Sequence, residues 1–224
     1  MLSARGVSQN RSDWARLFRV ATSLIRQVNA EQLIVDSWSF GGGTAMMLQI
    51  DHRESHDIDI FLADAQLLSY LDPKLRDFEF EIRPSDYTGD GSQFLKLAFA
   101  GIGEIDFVVG AALTQHPTTA RTVEGEEIRL ETLAEIIAKK IYYRGASIKP
   151  RDIFNIAAAA RHHQAPVVEA LRGYRNEVAR TLAAIECLNP EFVNATIATL
   201  AIKDSYWAIA RTAIADARAL LQSV

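Results

Sequence analysis

An Asp-x-Asp pair on an alternating strand, a dozen residues behind a glycine turn, constrains this chain more than any other feature. The turn is Phe40-Gly41-Gly42-Gly43-Thr44-Ala45, and the pair lies in Asp57-Ile58-Asp59-Ile60-Phe61. Strand side chains alternate with period two, so Asp57 and Asp59 point to the same side. Neighbouring carboxylates repel unless a cation lies between them. Ile58, Ile60 and Phe61 mark the strand as buried on at least one side, and a buried carboxylate needs a partner or a metal. Glycines let a backbone approach a ligand closely and adopt positive φ. A turn that opens a helix also offers N–H groups to an anion, and Thr44 can add a hydroxyl. The combination suits a triphosphate with two Mg²⁺ ions, which take carboxylates plus substrate phosphates. A glycine run at such a junction is also what any tight turn requires.

Three more positions extend this reading. Asp106 lies in Glu104-Ile105-Asp106-Phe107 among apolar residues. A third carboxylate suits two-metal chemistry, in which it helps hold the ion that lowers the pKa of an attacking hydroxyl. Glu104 has the same parity and is its rival, and a lone strand aspartate is also ordinary at a sheet edge. Lys140 falls on a helix from Thr132 in which positions 133, 136, 137, 140, 141 and 144 share a face. It is thus in line with Leu133, Ile136, Ile137 and Ile141, while Lys139 is expected to point elsewhere. A lysine there fits a phosphate contact, or a stem that snorkels to water. Arg151-Asp152 opens the next helix. Asp152 suits the helix dipole without any function, and equally suits orienting Lys140 or Arg151.

The bulk composition excludes several classes. The chain has 224 residues, one cysteine and a net charge of −4. No apolar run approaches the ~18 residues of a membrane span, and the N-terminus lacks an apolar signal core. Cys187 alone makes no disulfide or cysteine-based zinc site, and its flanks, Ile185 and Leu188, suggest a buried thiol. A cytoplasmic protein is expected. Charge is uneven, however. Residues 139–163 carry Lys139, Lys140, Arg144, Lys149, Arg151 and Arg161, with Asp152 the one acid. Such a run is either a solvated helix face or a phosphate-binding patch on an acidic protein.

Periodicity predicts an α+β fold: a mixed sheet with flanking helices, followed by a C-terminal helical bundle. A helix capped by Ser12 carries an apolar stripe of Trp14, Leu17, Phe18, Ala21, Leu24, Ile25 and Val28. Strands are expected over 33–40, 57–62, 78–83, 94–99, 104–109 and 127–130, with helices over 44–50 and 65–71. From Thr132 the chain reads as helical, opening with the capping box Thr132-Leu-Ala-Glu135. Pro150, Pro166 and Pro190 mark later helix starts. The last helix is expected to carry Trp207, Ala210, Ile214, Ala217 and Leu221 on one face. The composition shift divides the chain into an α+β domain at 1–130 and a helical domain at 131–224.

Gly42-Gly43-Thr44 followed by Asp57-Ile58-Asp59 resembles the active-site signature of the DNA polymerase beta-like nucleotidyltransferase superfamily. The fuller pattern is similar to the AbiEii/AbiGii toxin family of type IV toxin–antitoxin systems. It comprises Phe40 to Leu48, His52 to Phe61, Ile105-Asp106-Phe107, Ala138 to Ile141 and Arg151-Asp152-Ile153-Phe154-Asn155. The resemblance implies that Gly42, Gly43 and Thr44 hold nucleotide phosphates. It implies that Asp57, Asp59 and Asp106 bind Mg²⁺, that Lys140 contacts the triphosphate, and that Arg151 and Asp152 lie near the nucleotide. The last motif commonly ends in a second aspartate; this chain has Asn155, which cannot serve as a charged ligand or base.

The expected activity is therefore Mg²⁺-dependent transfer of NMP from an NTP to a hydroxyl of RNA, such as a tRNA 3′ end, or of protein. A cognate antitoxin is the implied partner. Two other classes remain in view. Asn155 motivates a nucleotide-binding regulator without transfer activity. The three carboxylates alone would also suit a metal-dependent phosphodiesterase, although the five histidines are not spaced as metal ligands.

Overall fold

Seven strands form one mixed sheet in the computed structural model, which describes residues 13–224. The strands are β1 (Trp38–Gly41), β2 (Ile58–Leu62), β3 (Asp86–Gly89), β4 (Phe94–Phe99), β5 (Gly103–Val109), β6 (Thr118–Val123) and β7 (Glu126–Glu131). Their order across the sheet is β3-β4-β5-β2-β1-β7-β6. The helices are α1 (Trp14–Val28), α2 (Gly42–Ile50), α3 (Gln66–Leu71), α4 (Leu133–Arg144), α5 (Pro150–Leu171), α6 (Arg175–Cys187), α7 (Pro190–Ala198) and α8 (Trp207–Gln222). This is the expected α+β architecture with a helical C-terminal half. Among the described residues no helix is long and apolar enough to cross a membrane.

Alternation sorts the two faces of the sheet. Ile58, Ile60 and Leu62 of β2, Ile105 and Phe107 of β5, and Leu95 and Leu97 of β4 are all buried. Helix α1 packs on β2 and β5 and buries the expected stripe except Trp14, which is half-buried. Its expected cap, Ser12, lies outside the described residues. The opposite parity of the same strands carries Asp59, Phe61, Lys96, Glu104 and Asp106. One parity thus builds the core and the other is left for polar work.

The helical half is anchored by polar groups as well as apolar ones. The hydroxyl of Thr132 accepts from the Glu135 N–H, as a capping box requires. The fully buried Glu135 carboxylate does not return the bond. It accepts instead from the N–H groups of Leu113 and Thr114 and from the Thr114 hydroxyl, at 2.8–3.2 Å, which ties α4 to the loop after β5. Pro150 and Pro190 stand in the first turns of α5 and α7. Near Pro166, α5 is interrupted at His163, whose φ of −133° is non-helical. Buried residues from both halves, Phe18, Phe40, Phe107 and Phe154 among them, belong to one contiguous core.

Several expectations are corrected. Residues 78–83 form no strand. The Gln27 side chain donates to Glu79 O and accepts from Glu79 N–H, at 2.8 and 2.9 Å, so a side-chain amide takes the place of a neighbouring strand. Strands β3 and β6 were not expected; both are largely exposed sheet edges without apolar alternation. Cys187 is exposed, because α6 buries Val178, Thr181 and Ile185 and Cys187 lies off that face. Trp207 is also exposed, while α8 buries Ala210, Ala213, Ala217, Leu220 and Leu221.

The turn after α4 shows how closely the halves of the helical region meet. A Cβ at Gly145 would overlap Thr181 Oγ1, which itself donates to Glu177 O. Gly145→Ala should therefore cost about 1–3 kcal/mol by overpacking. Urea denaturation of Gly145→Ala, Thr181→Ala and the double variant should show positive coupling, the Thr181 truncation relieving much of the alanine's cost.

Candidate active site

The site begins with strand register. β2 and β5 are parallel and pair Asp59 with Asp106, while antiparallel β4 sets Lys96 opposite Asp106. Three charged side chains from three adjacent strands therefore share one face by backbone hydrogen bonding alone. β1 runs antiparallel to β2 and ends with Gly41 opposite Asp59. The chain then turns through Gly42, at φ +70°, into α2. A Cβ at Gly42 would fall on the Asp59 carboxylate, and one at Gly43 would lie 2.8 Å from Arg53 Nη2. Glycine is thus required at 42, where a left-handed turn crosses directly over Asp59, while a side chain at 43 would press on the ends of Arg53 and Ser55.

These residues line a cavity of about 220 Å³. Gly42, Gly43, Asp57, Asp59, Asp106, Lys140 and Arg151 of the expected set all face it. Thr44 and Asp152 do not. Thr44 is fully buried and its hydroxyl donates to Asp57 O, so it fastens the glycine turn to the Asp-x-Asp strand. Asp152 is fully buried behind Lys140, with Oδ1 2.7 Å from Nζ; it holds the lysine that faces the cavity. Asn155 is also fully buried and lies away from the cavity wall.

Charge in the cavity is concentrated and mostly paired. Burial pushes Asp59 above the usual carboxylate range, with Lys140 and Arg144 opposing and Asp57 adding to the rise. Asp106 is pushed up to about 6, first by burial and then by Asp59, against the pull of Lys96. The Lys96 ammonium is ion-paired with Glu104 and lies 3.3 Å from Asp106 Oδ1. Asp57 Oδ1 accepts from the Glu104 N–H at 3.1 Å. Among the described residues, no three acidic, histidine or cysteine side chains already form a closed metal-ligand cluster. The three aspartates line one cavity wall rather than a preformed cage.

Some of the site was not expected from sequence. Lys139, placed off the working face by periodicity, is buried and faces the same cavity as Lys140. It pairs with Glu131 at 2.6 Å and lies 3.7 Å over the Phe61 ring. Helix α4 is buried on two sides, so both adjacent lysines are internal and each has its own acid. Lys96 and Glu131 carried no motif; their signal was strand parity next to Asp106 and to the start of α4. Arg53 and His52 meet at Asn155, whose Oδ1 accepts from Arg53 Nε at 3.2 Å and lies 3.0 Å from His52 Nε2.

The sheet thus sets a glycine turn over paired aspartates, with a buried lysine of α4 facing the same cavity. The family model described as "Nucleotidyl transferase AbiEii toxin, Type IV TA system" matches residues 24–217, and the chain belongs to this family. No curated protein matches it. Among solved structures, it is similar to MenT4, a nucleotidyltransferase toxin from Mycobacterium tuberculosis H37Rv. The two share 16% identity over 96% of this chain and 86% of that one, with a TM-score of 0.54, a likeness of fold. A weaker match, at 12% identity and TM-score 0.39, is to the CD-NTase CdnG of Bradyrhizobium diazoefficiens in complex with GTP. It covers 95% of this chain and 86% of that one.

The His52 environment makes a pH prediction. Burial, with Arg53 next, lowers its pKa from 6.5 to about 3. Between those values the unfolded chain binds a proton that the folded chain refuses, so stability falls as pH falls through that window. The limiting slope for one such group is about 1.4 kcal/mol per pH unit. Urea midpoints between pH 7 and 5 should decline in the parent protein, and the decline should flatten in His52→Asn. An equal slope in both would show that His52 is not held neutral.

Proposed function

We propose that the protein transfers NMP from an NTP to a hydroxyl of RNA, with pyrophosphate leaving, as the toxin of a type IV pair. The observation that carries this reading is the Asp59–Asp106 register beneath the Gly42 turn. Two half-buried carboxylates held side by side, each unfavourable to the other's charge, fit a hard divalent cation such as Mg²⁺, with Asp57 beside them. Bound there, the metal would supply charge neutralisation and a lowered hydroxyl pKa. The remaining work falls to the chain's own groups. Backbone at Gly42 and Gly43 approaches the phosphates, Lys140 is oriented toward them by Asp152, and Arg144 and Arg151 stand at the cavity rim. Such a site acts through positioning and fixed charge.

RNA is preferred to protein as acceptor because basic and aromatic groups border the cavity. Tyr143, Arg144 and Arg151 line it, and the rings of Tyr142 and Tyr143, both exposed, meet at 4.9 Å. Exposed aromatics beside arginines suit single-stranded nucleic acid, and such binding should weaken as salt rises. The regulator reading loses its motive, since Asn155 is packed behind His52 and Arg53. The phosphodiesterase reading gains nothing from the cavity lining, which contains no histidine. The family also implies a cognate antitoxin.

Incubation with each α-labelled NTP, Mg²⁺ and total tRNA should label RNA. Asp59→Asn should reduce the rate by about 10²–10³-fold, and chelation of divalent ions should abolish it. Label transfer that is absent with every NTP and acceptor, protein included, would count against the activity. Label on protein alone would overturn the RNA acceptor.

A further inference from the structure

Resting on that reading, we infer that Arg53 is a phosphate-binding residue of the nucleotide site, serving the phosphates beyond the one transferred. Six cations line the cavity: Arg53, Lys96, Lys139, Lys140, Arg144 and Arg151. Lys96 is paired with Glu104 and Asp106, Lys139 with Glu131 and Glu135, and Lys140 with Asp152. Among the described residues no carboxylate is ion-paired with Arg53, Arg144 or Arg151. The last two are exposed and solvated. Arg53 is only 8% exposed, so its charge is desolvated and turned to the cavity; Asp152, Asp57 and Asp59 act on it through space, but none is within ion-pair distance.

The cause is Asn155. The Arg53 Nε donates to a neutral amide oxygen at 3.2 Å, where an aspartate would supply a full counter-charge. A second bond, from Nη1 to Glu54 O at 2.8 Å, also goes to a neutral acceptor. Arg53 is further held by the backbone: its residue bridges Ile202, and Glu54 N–H donates to Ala201 O at 2.8 Å. The guanidinium is thus oriented by two neutral acceptors, while the backbone bridge to Ile202 holds the residue that carries it. Unpaired buried charge is costly unless an anion arrives.

Position selects which anion. Gly42 crosses Asp59, and Gly43, one residue on and about 3.8 Å away, crosses Arg53, with Nη2 2.8 Å from its notional Cβ. The transferred phosphorus belongs at the aspartates. A fixed guanidinium one residue further along the turn meets the phosphates that follow it, and guanidinium geometry suits bidentate phosphate binding. The residue therefore selects triphosphate over monophosphate.

Calorimetry with a non-hydrolysable NTP and with the corresponding NMP, both with Mg²⁺, tests this. Arg53→Gln should weaken NTP binding by about ten- to a hundredfold and leave NMP binding nearly unchanged, so the ratio of the two collapses. Asn155→Asp, which gives Arg53 a counter-charge without removing it, should shift the ratio the same way by a smaller factor. Equal losses for NTP and NMP in Arg53→Gln, or an unchanged ratio, overturn the assignment, as does an unchanged or improved NTP affinity in Asn155→Asp. Failure of the parent protein to bind any NTP would instead overturn the proposed function itself.

Discussion

The parallel pairing of β2 with β5 is the constraint on which the site depends. It sets Asp59 level with Asp106, and nothing in either side chain would choose that arrangement, since each carboxylate raises the cost of charging the other. Backbone hydrogen bonds and the burial of Ile58, Ile60, Leu62, Ile105 and Phe107 on the reverse face hold it in place. A slip of one residue would send those apolar groups to the cavity and the acids into the core. The hydrophobic face therefore enforces the electrostatic one. Asp106 is pushed up to about 6 within that arrangement, first by burial and then by Asp59.

Around this repulsive pair the other charges fall into an order. Each buried lysine has a carboxylate within 3.6 Å: Lys139 has Glu131 and Glu135, and Lys140 has Asp152. Burial lowers the Lys140 pKa and Asp152 pulls against it, while the partner acids aim both lysines. Asp152 correspondingly stays below the usual carboxylate range despite its burial, because Lys140 faces it. Arg53 is the departure from the pattern. A guanidinium resists deprotonation far better than an ammonium, so an arginine can remain charged in a position where an unpaired lysine would lose its proton.

Much of this was legible in the sequence, for a physical reason. Period-two alternation in Asp57 to Leu62 and Phe94 to Val109 gave both the strands and the polar parity of Asp59 and Asp106. The glycine turn showed itself because only glycine tolerates the close crossing over Asp59. Pairing was less accessible. Lys139 and Glu131 are far from one another in role until β7 and α4 fold back, and a helical wheel cannot show that α4 is buried on two sides. Thr44 and Asp152 carried the right motif but act one contact removed, through Asp57 O and Lys140. Edge strands β3 and β6, with little apolar content, leave no periodic trace, and the Gln27 amide that occupies the backbone of Glu79 comes from a distant helix.

The composition shift near residue 130 divides a mixed α+β part from a wholly helical one, yet the chemistry crosses it repeatedly. The loop that carries His52, Arg53 and Glu54 into the Asp-x-Asp strand is held by residues of the helical half. Lys203 N–H donates to His52 O at 3.1 Å, Glu54 N–H donates to Ala201 O, and Lys203 is ion-paired with Glu54. His52 stacks on Phe154 and meets Tyr206 edge-on, with ring centroids 5.8 and 6.3 Å apart. Asn155 completes the clamp from α5. Since Asp57 follows this loop by only a few residues, the helices after residue 131 set the entry of β2 as surely as the sheet does. Asn155 thus has a use that does not require charge: it fixes the loop through neutral bonds. A carboxylate there would form the same contacts and bring a negative charge toward a cavity that already holds three aspartates.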